Sequence, residues 1–122
     1  MIRSLLALLA IVVLAGPASA EWQRYHDDGS ITASFDIASF AQFQGKPSVW
    51  VRWHYDSPRD GIGGMKLQFT AECDQDELYE IDVIPYDADG NYLAEDRHYD
   101  APKEYPVTPD SLNEATLAIL CH

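Results

Sequence analysis

From position 22 onward, apolar and polar residues alternate with a period of two along most of the chain. That is the signature of strands with one buried face. The clearest run puts Met65, Leu67, Phe69, Ala71 and Cys73 on one side, and Lys66, Gln68, Thr70, Glu72 and Asp74 on the other. Val49, Val51, Trp53 and Tyr55 alternate in the same way with Trp50, Arg52, His54 and Asp56. Such strands fit an antiparallel sheet covered on one face only. Shorter strands are expected over Trp22–Tyr25 and Ile31–Phe35, separated by a turn at His26–Ser30 with its Asp-Gly pair. A fifth strand sets Tyr79, Ile81 and Val83 inward, opposite Glu80, Asp82 and Ile84. After a hairpin turn at Asp87–Gly90, a sixth strand is expected over Asn91–Arg97, at the sheet edge.

Breaks in the alternation mark the connections. Asp36 can cap a single helical turn reaching Phe40, accepting from the backbone near Ser39. Gln44–Pro47 reads as a turn. Ser57–Gly64, with one Pro and three Gly, reads as a mobile loop, and residues 99–108, with Pro102 and Pro106, as extended coil. The last element is helical: Pro109 suits a helix start, and Ser111 with Glu114 forms a capping box. Leu112, Ala115, Thr116, Ile119 and Leu120 then recur at helical spacing, a stripe apolar enough to cover one sheet face. The fold class expected is α+β: a single antiparallel sheet of about six strands with a C-terminal helix packed on one face.

Residues 1–20 follow a different pattern. Arg3 precedes an apolar run from Leu5 to Ala15, Gly16 and Pro17 break it, and Ala18-Ser19-Ala20 is a small-x-small cleavage site. This reads as a secretory signal peptide cut between Ala20 and Glu21. The run is too short for a membrane span, which needs about 20 apolar residues. Glu21 rather than Cys follows the cut, so a lipid-anchored form is not expected. The domains are therefore 1–20, removed on export, and 21–122, one domain with no repeat or linker.

Charge narrows the partners. The chain of 122 residues has 20 acidic and 8 basic residues; without residues 1–20, which hold only Arg3, it keeps 20 and 7, a net charge of −13. That argues against nucleic acid and against anionic membrane surfaces, both of which call for clustered Lys and Arg. Export also changes the meaning of Cys73 and Cys121. In an oxidising compartment an even pair is most simply one disulfide. A metal or thiol role, with His122 beside Cys121, is the weaker alternative. Cys73 has the parity of the buried sheet face and Cys121 ends the helix that should lie there. A bond between them would staple helix to sheet.

Candidate chemistry is sparse. Asp87-Ala88-Asp89-Gly90-Asn91 invites a calcium reading, but positions six and twelve of such a loop hold Tyr92 and His98 instead of Gly and Glu, so a turn is expected. His26, His54, His98 and His122 offer no His-x-x-x-His pair and no nucleophile elbow. Carboxylate pairs at Asp27-Asp28, Asp74 with Asp76 and Glu77, and Glu95-Asp96 would need a deep cleft for glycosidase chemistry, and read as solvated loop charge. No catalytic residue, metal site or cofactor is assigned. Trp50 faces away from Val49, Val51 and Trp53. It is either covered by another segment or used for binding, with Arg52 and His54 beside it as the candidate surface.

An ordered set of motifs resembles the surface-adhesin protein E-like family over about residues 22–121. Ser34–Phe40 is similar to its Asp-x-x-Ser signature and Val49-Trp50-Val51 with Tyr55 to its Val-Trp strand. Glu72-Cys73 is similar to its acidic-Cys strand end, Tyr86–Gly90 to its hairpin, and Val107–Ser111 leading to Cys121 to its closing helix. The resemblance implies an antiparallel sheet with a disulfide-tied C-terminal helix. It also implies an exported, non-enzymatic, adhesin-like or protein-binding module, because the founding member is a bacterial surface adhesin for host matrix and serum proteins. The alternative is a periplasmic inhibitor or binding partner of a basic protein, since acidity speeds encounter with cations. The protein partner is unnamed by the sequence, the location is periplasm or cell surface, and homodimerisation through an open sheet edge is a further expectation.

Overall fold

The structure, a computed structural model, describes residues 20–122. The expected signal peptide thus lies outside the described residues, apart from Ala20. Eight strands follow in order: β1 Trp22–Asp27, β2 Ile31–Asp36, β3 Ala41–Phe43, β4 Lys46–Arg59, β5 Ile62–Glu72, β6 Glu77–Asp87, β7 Asp96–Arg97 and β8 Lys103–Tyr105. Among the described residues a single α-helix, α1, spans Leu112–Cys121. The strands form one antiparallel sheet in the order β1-β2-β4-β5-β6-β7, with β3 on β4 and β8 on β6. The expected fold class is thereby observed.

Strands β4 and β5 realise the alternation directly. Val49 pairs with Phe69, Val51 with Leu67 and Trp53 with Met65. With Ala33, Ala71 and Leu78 these residues make the core, closed from above by Leu117 and Leu120 of α1. Burying each of those two leucines contributes about 2 kcal/mol of transfer free energy. The helix starts as its sequence dictates: Ser111 Oγ accepts from Glu114 N at 3.1 Å, and Glu114 Oε1 accepts from Asp110 N at 3.2 Å. Its far end is tied to the end of β5, because Cys121 forms the disulfide with Cys73, which opens the 3-10 turn Cys73–Gln75 just past the strand, with Cα atoms 5.5 Å apart. Inside the interface, Trp53 Nε1–H donates to Tyr25 Oη at 2.8 Å, and Tyr25 Oη lies 2.8 Å from Thr116 Oγ1. Among the described residues no helix lies on the opposite sheet face.

Several expectations are corrected. Ser57–Gly64 is no loop: β4 and β5 run on as a hairpin closed by Asp60-Gly61, both at positive φ, with Arg59 paired to Ile62. An Asp-Gly pair favours that tight turn. Gln44-Gly45 closes the β3–β4 hairpin similarly, so Lys46 and Pro47 are strand. The long sixth strand shrinks to Asp96–Arg97 plus one bridge from Tyr92 to Tyr86. The expected coil after residue 99 contains β8, which draws its hydrogen bonds from Leu78–Glu80.

The largest correction lies in β6. A bulge sets Glu80 opposite Phe69 but Asp82 opposite Gln68, leaving Ile81 as the extra residue. Parity therefore reverses along the strand. Leu78, not Tyr79, faces the core, while Glu80 and Asp82 are 3% and 1% exposed rather than solvated. Glu80 is satisfied by Tyr105 Oη–H at 2.6 Å and His98 Nε2 at 3.1 Å. Asp82 faces Arg97 at 3.7 Å but keeps one oxygen, Oδ1, without a hydrogen bond.

Candidate ligand-binding face

Register decides which side chains meet on the helix-free face. Residues paired across strands point to the same side. Arg24, Ser34, Arg52, Lys66 and Ile84 thus form one row across five strands, and Thr32, His54, Gly64 and Tyr86 the next. Trp50, Gln68, Asp82 and Arg97 make a third row. The expected trio is therefore split: Arg52 and His54 line a common cleft, while Trp50 shares their face but sits one row away.

The cleft has a volume of about 470 Å³ and is bounded by Arg24, Thr32, Ser34, Arg52, His54, Tyr86, Gly90 and Tyr92. Its floor is held by specific contacts. Tyr86 lies across Gly64, where any Cβ would fall 2.2 Å from the phenol oxygen. Only glycine permits so close an approach. The Tyr86 hydroxyl meets His54 Nδ1 at 3.1 Å, and the two rings are stacked. Burial raises the Tyr86 phenol above its ordinary pKa, with the Arg52 charge acting in the opposite sense. Tyr92 stands 64% exposed at the rim.

The cations are stacked on indoles. The Arg52 guanidinium lies 4.6 Å from the Trp22 ring, and the Lys66 ammonium 4.9 Å from the Trp50 ring. Trp50 is half-buried on this face, and its backbone is anchored by the Asp-x-x-Ser segment. Ser39 Oγ–H donates to the Asp36 carbonyl at 2.7 Å and accepts from Trp50 N at 2.9 Å. The expected single turn is present as a 3-10 turn over Ile37–Ser39, and Asp36 Oδ1 caps it through Ala38 N. The same oxygen accepts from Glu21 N at 2.9 Å.

Other candidates lie apart. His26 contacts Asp28, and His98 contacts Glu80 and Asp96. His122 follows the helix, and the disulfide occupies both thiols. Asp87 Oδ1 accepts from Asp89 N and Asn91 N within the Asp87–Gly90 turn, and these bonds, Asn91 first, hold its pKa low. Among the described residues no three His, Cys, Asp or Glu are grouped to hold a metal ion. Sequence reasoning counts Trp22 among the aromatics that could form a recognition surface, but it missed Arg24 and did not single out Tyr86 or Tyr92. The Gly63-Gly64 pair was the available signal, since adjacent glycines within a strand mark close approach by another group.

The family model described as Surface-adhesin protein E matches residues 22–122. No curated protein and no solved structure matches the chain.

Proposed function

The chain belongs to the surface-adhesin protein E family, and from that premise we propose that it is an exported, non-enzymatic binding protein whose contact surface is the helix-free sheet face. The observation that carries the assignment is the asymmetry of the sheet. One face is sealed by α1; the other displays Trp22, Trp50, Arg52, His54 and Tyr92, and among the described residues no helix covers it. Aromatic and Arg side chains are the types enriched at binding surfaces. Family and disulfide both point to export. Among the described residues no helix is long and apolar enough to cross a membrane. Cleavage between Ala20 and Glu21 fits the geometry, because the new α-ammonium would lie on Asp36 Oδ1.

A periplasmic role toward a basic protein is the second reading. Its support is the acidic end of the sheet. The Tyr79 phenol is pushed up to about 12 by its hydrogen bond to Glu77, with Glu104 and Glu72 adding to the shift.

The test is binding to immobilised matrix and serum proteins, using the 21–122 chain and the variant Trp50→Ala/Arg52→Glu, with the Glu72→Gln/Glu77→Gln variant beside it. Loss of binding in the first variant alone, with unfolding midpoints retained, supports the sheet-face assignment. Loss only in the second moves the contact to the acidic end. Protease treatment of intact cells then separates surface from periplasm: digestion of this protein beside a spared periplasmic control supports the adhesin.

A further inference from the structure

We propose that the cleft between β1, β2, β4 and β6 binds a small hydroxylated carboxylate of the sugar-acid class. This rests on the sheet-face reading above and names a ligand for it. Composition sets the cleft apart from the rest of the chain. The chain has 20 acidic and 8 basic residues, yet the cleft lining has two guanidiniums, one imidazole and no carboxylate. Solubility explains acidic surface elsewhere; it does not explain its exclusion here.

The cations of the cleft are oriented and only weakly engaged. Among the described residues Arg52 has no carboxylate within ion-pair distance, while Trp22 beneath it fixes the plane of its guanidinium. Arg24 reaches Asp27 only at 3.9 Å, with both side chains largely in solvent, a contact of little energetic weight. Both Arg flank Ser34 in one row, two strand spacings or about 10 Å apart at the backbone. Their side chains can converge on one oxyanion. A guanidinium already oriented loses less entropy when it takes a carboxylate in two-point contact.

The rest of the cleft is polar. Ser34 supplies a hydroxyl, Thr32 and Tyr86 supply hydroxyls that already meet Asp56 Oδ1 and His54 Nδ1 and can still accept, and His54 Nε2 makes no hydrogen bond within the described residues. These groups match a polyol better than a bare anion. Tyr92, exposed and edge-on to Tyr86 at 6.5 Å, gives an aromatic wall against which a sugar ring can lie. The volume falls within the range of about 300–1,000 Å³ usual for small-ligand sites.

The experiment is an NMR titration of the 21–122 chain. The probes are glucuronic acid and N-acetylneuraminic acid, with N-acetylglucosamine as the neutral control and sodium sulfate as the bare anion. Saturable shifts of the Trp22 indole and His54 ring with an acid sugar, absent with the neutral sugar, are expected. Arg52→Gln and Arg24→Gln should each weaken binding by about tenfold or more. Equal shifts with the neutral sugar, shifts with sulfate alone, or full binding by Arg24→Gln would each overturn the proposal. If acid sugars leave the cleft unmoved while Trp50→Ala/Arg52→Glu still abolishes capture of a matrix protein, this ligand is wrong and the sheet-face function stands.

Discussion

Replacing Tyr25 with Phe tests how helix and sheet are joined. Thr116 Oγ1–H is committed to the Leu112 carbonyl at 2.9 Å, so Thr116 can only accept from Tyr25. Tyr25 therefore donates to Thr116 and accepts from the Trp53 indole, and the relay runs in one direction. Burial, only partly offset by the bonds to Thr116 and Trp53, pushes the phenol up to about 12, so it stays protonated at neutral pH. Removing its oxygen strands the N–H of Trp53, a residue 6% exposed, at a cost of about 1–3 kcal/mol. The lost bond to Thr116 adds about 1 kcal/mol. Tyr25→Phe should thus destabilise by about 3 kcal/mol. With a urea slope of about 1.5 kcal/mol/M, the midpoint falls by about 2 M. Tyr25→Phe and Thr116→Val combined should cost about 1 kcal/mol less than the sum of the single changes, because they share one bond. A midpoint shift under 0.3 M, or strict additivity, would refute the relay.

Three further outcomes follow from the same structure. Cys73→Ser/Cys121→Ser frees a loop of 48 residues. The chain-entropy model gives a loss of about 4 kcal/mol, measurable by urea unfolding against the oxidised protein. The Asp82 carboxyl is pushed up to about 6, by burial first and then by Glu95, against the pull of Arg97. A carboxyl raised in the folded state binds more protons folded than unfolded, so its effect is a loss of stability as pH rises from about 4 to about 6. Asp82→Asn should remove that slope and gain about 2 kcal/mol at pH 7, read from melting curves across pH. Gly64→Ala drives a methyl into Tyr86 and the Trp53 carbonyl, 2.6 Å away. It should cost about 1–3 kcal/mol and break the His54–Tyr86 contact, visible as a shifted His54 ring signal.

What the sequence disclosed depended on how locally each feature is determined. The β4 and β5 alternation, the Ser111 cap and the Asp36 turn are set by neighbours in the chain, and each is present where expected. The Cys73–Cys121 pairing needed only parity and compartment. Three-residue strands such as β3 and β8 have no period of their own; the partner strand makes them. Nothing near Ile81 announces the bulge, which arises from pairing with Gln68 and Phe69. It turns Glu80 to the core side, beside Phe69, whereas Asp82 keeps the helix-free side that alternation gives it and is buried there with Arg97 against it. The cleft is the extreme case. Arg24 and Tyr86 are 62 positions apart, and only the register of five strands brings them to one wall.

The alternation of β4 has an evolutionary consequence. Val49, Val51 and Trp53 hold the core, while Trp50, Arg52 and His54 face outward from the same short stretch of backbone. If the proposed sheet-face function holds, substitution at the outward set changes what the protein recognises with little effect on folding, so ligand preference is free to drift between related chains. Insertion or deletion of a single residue in this strand exchanges the two sets at once. It would expose the core and bury the outward set together. Variation within the family should accordingly enter β4 by replacement at every second position, and changes of length should be confined to the turns.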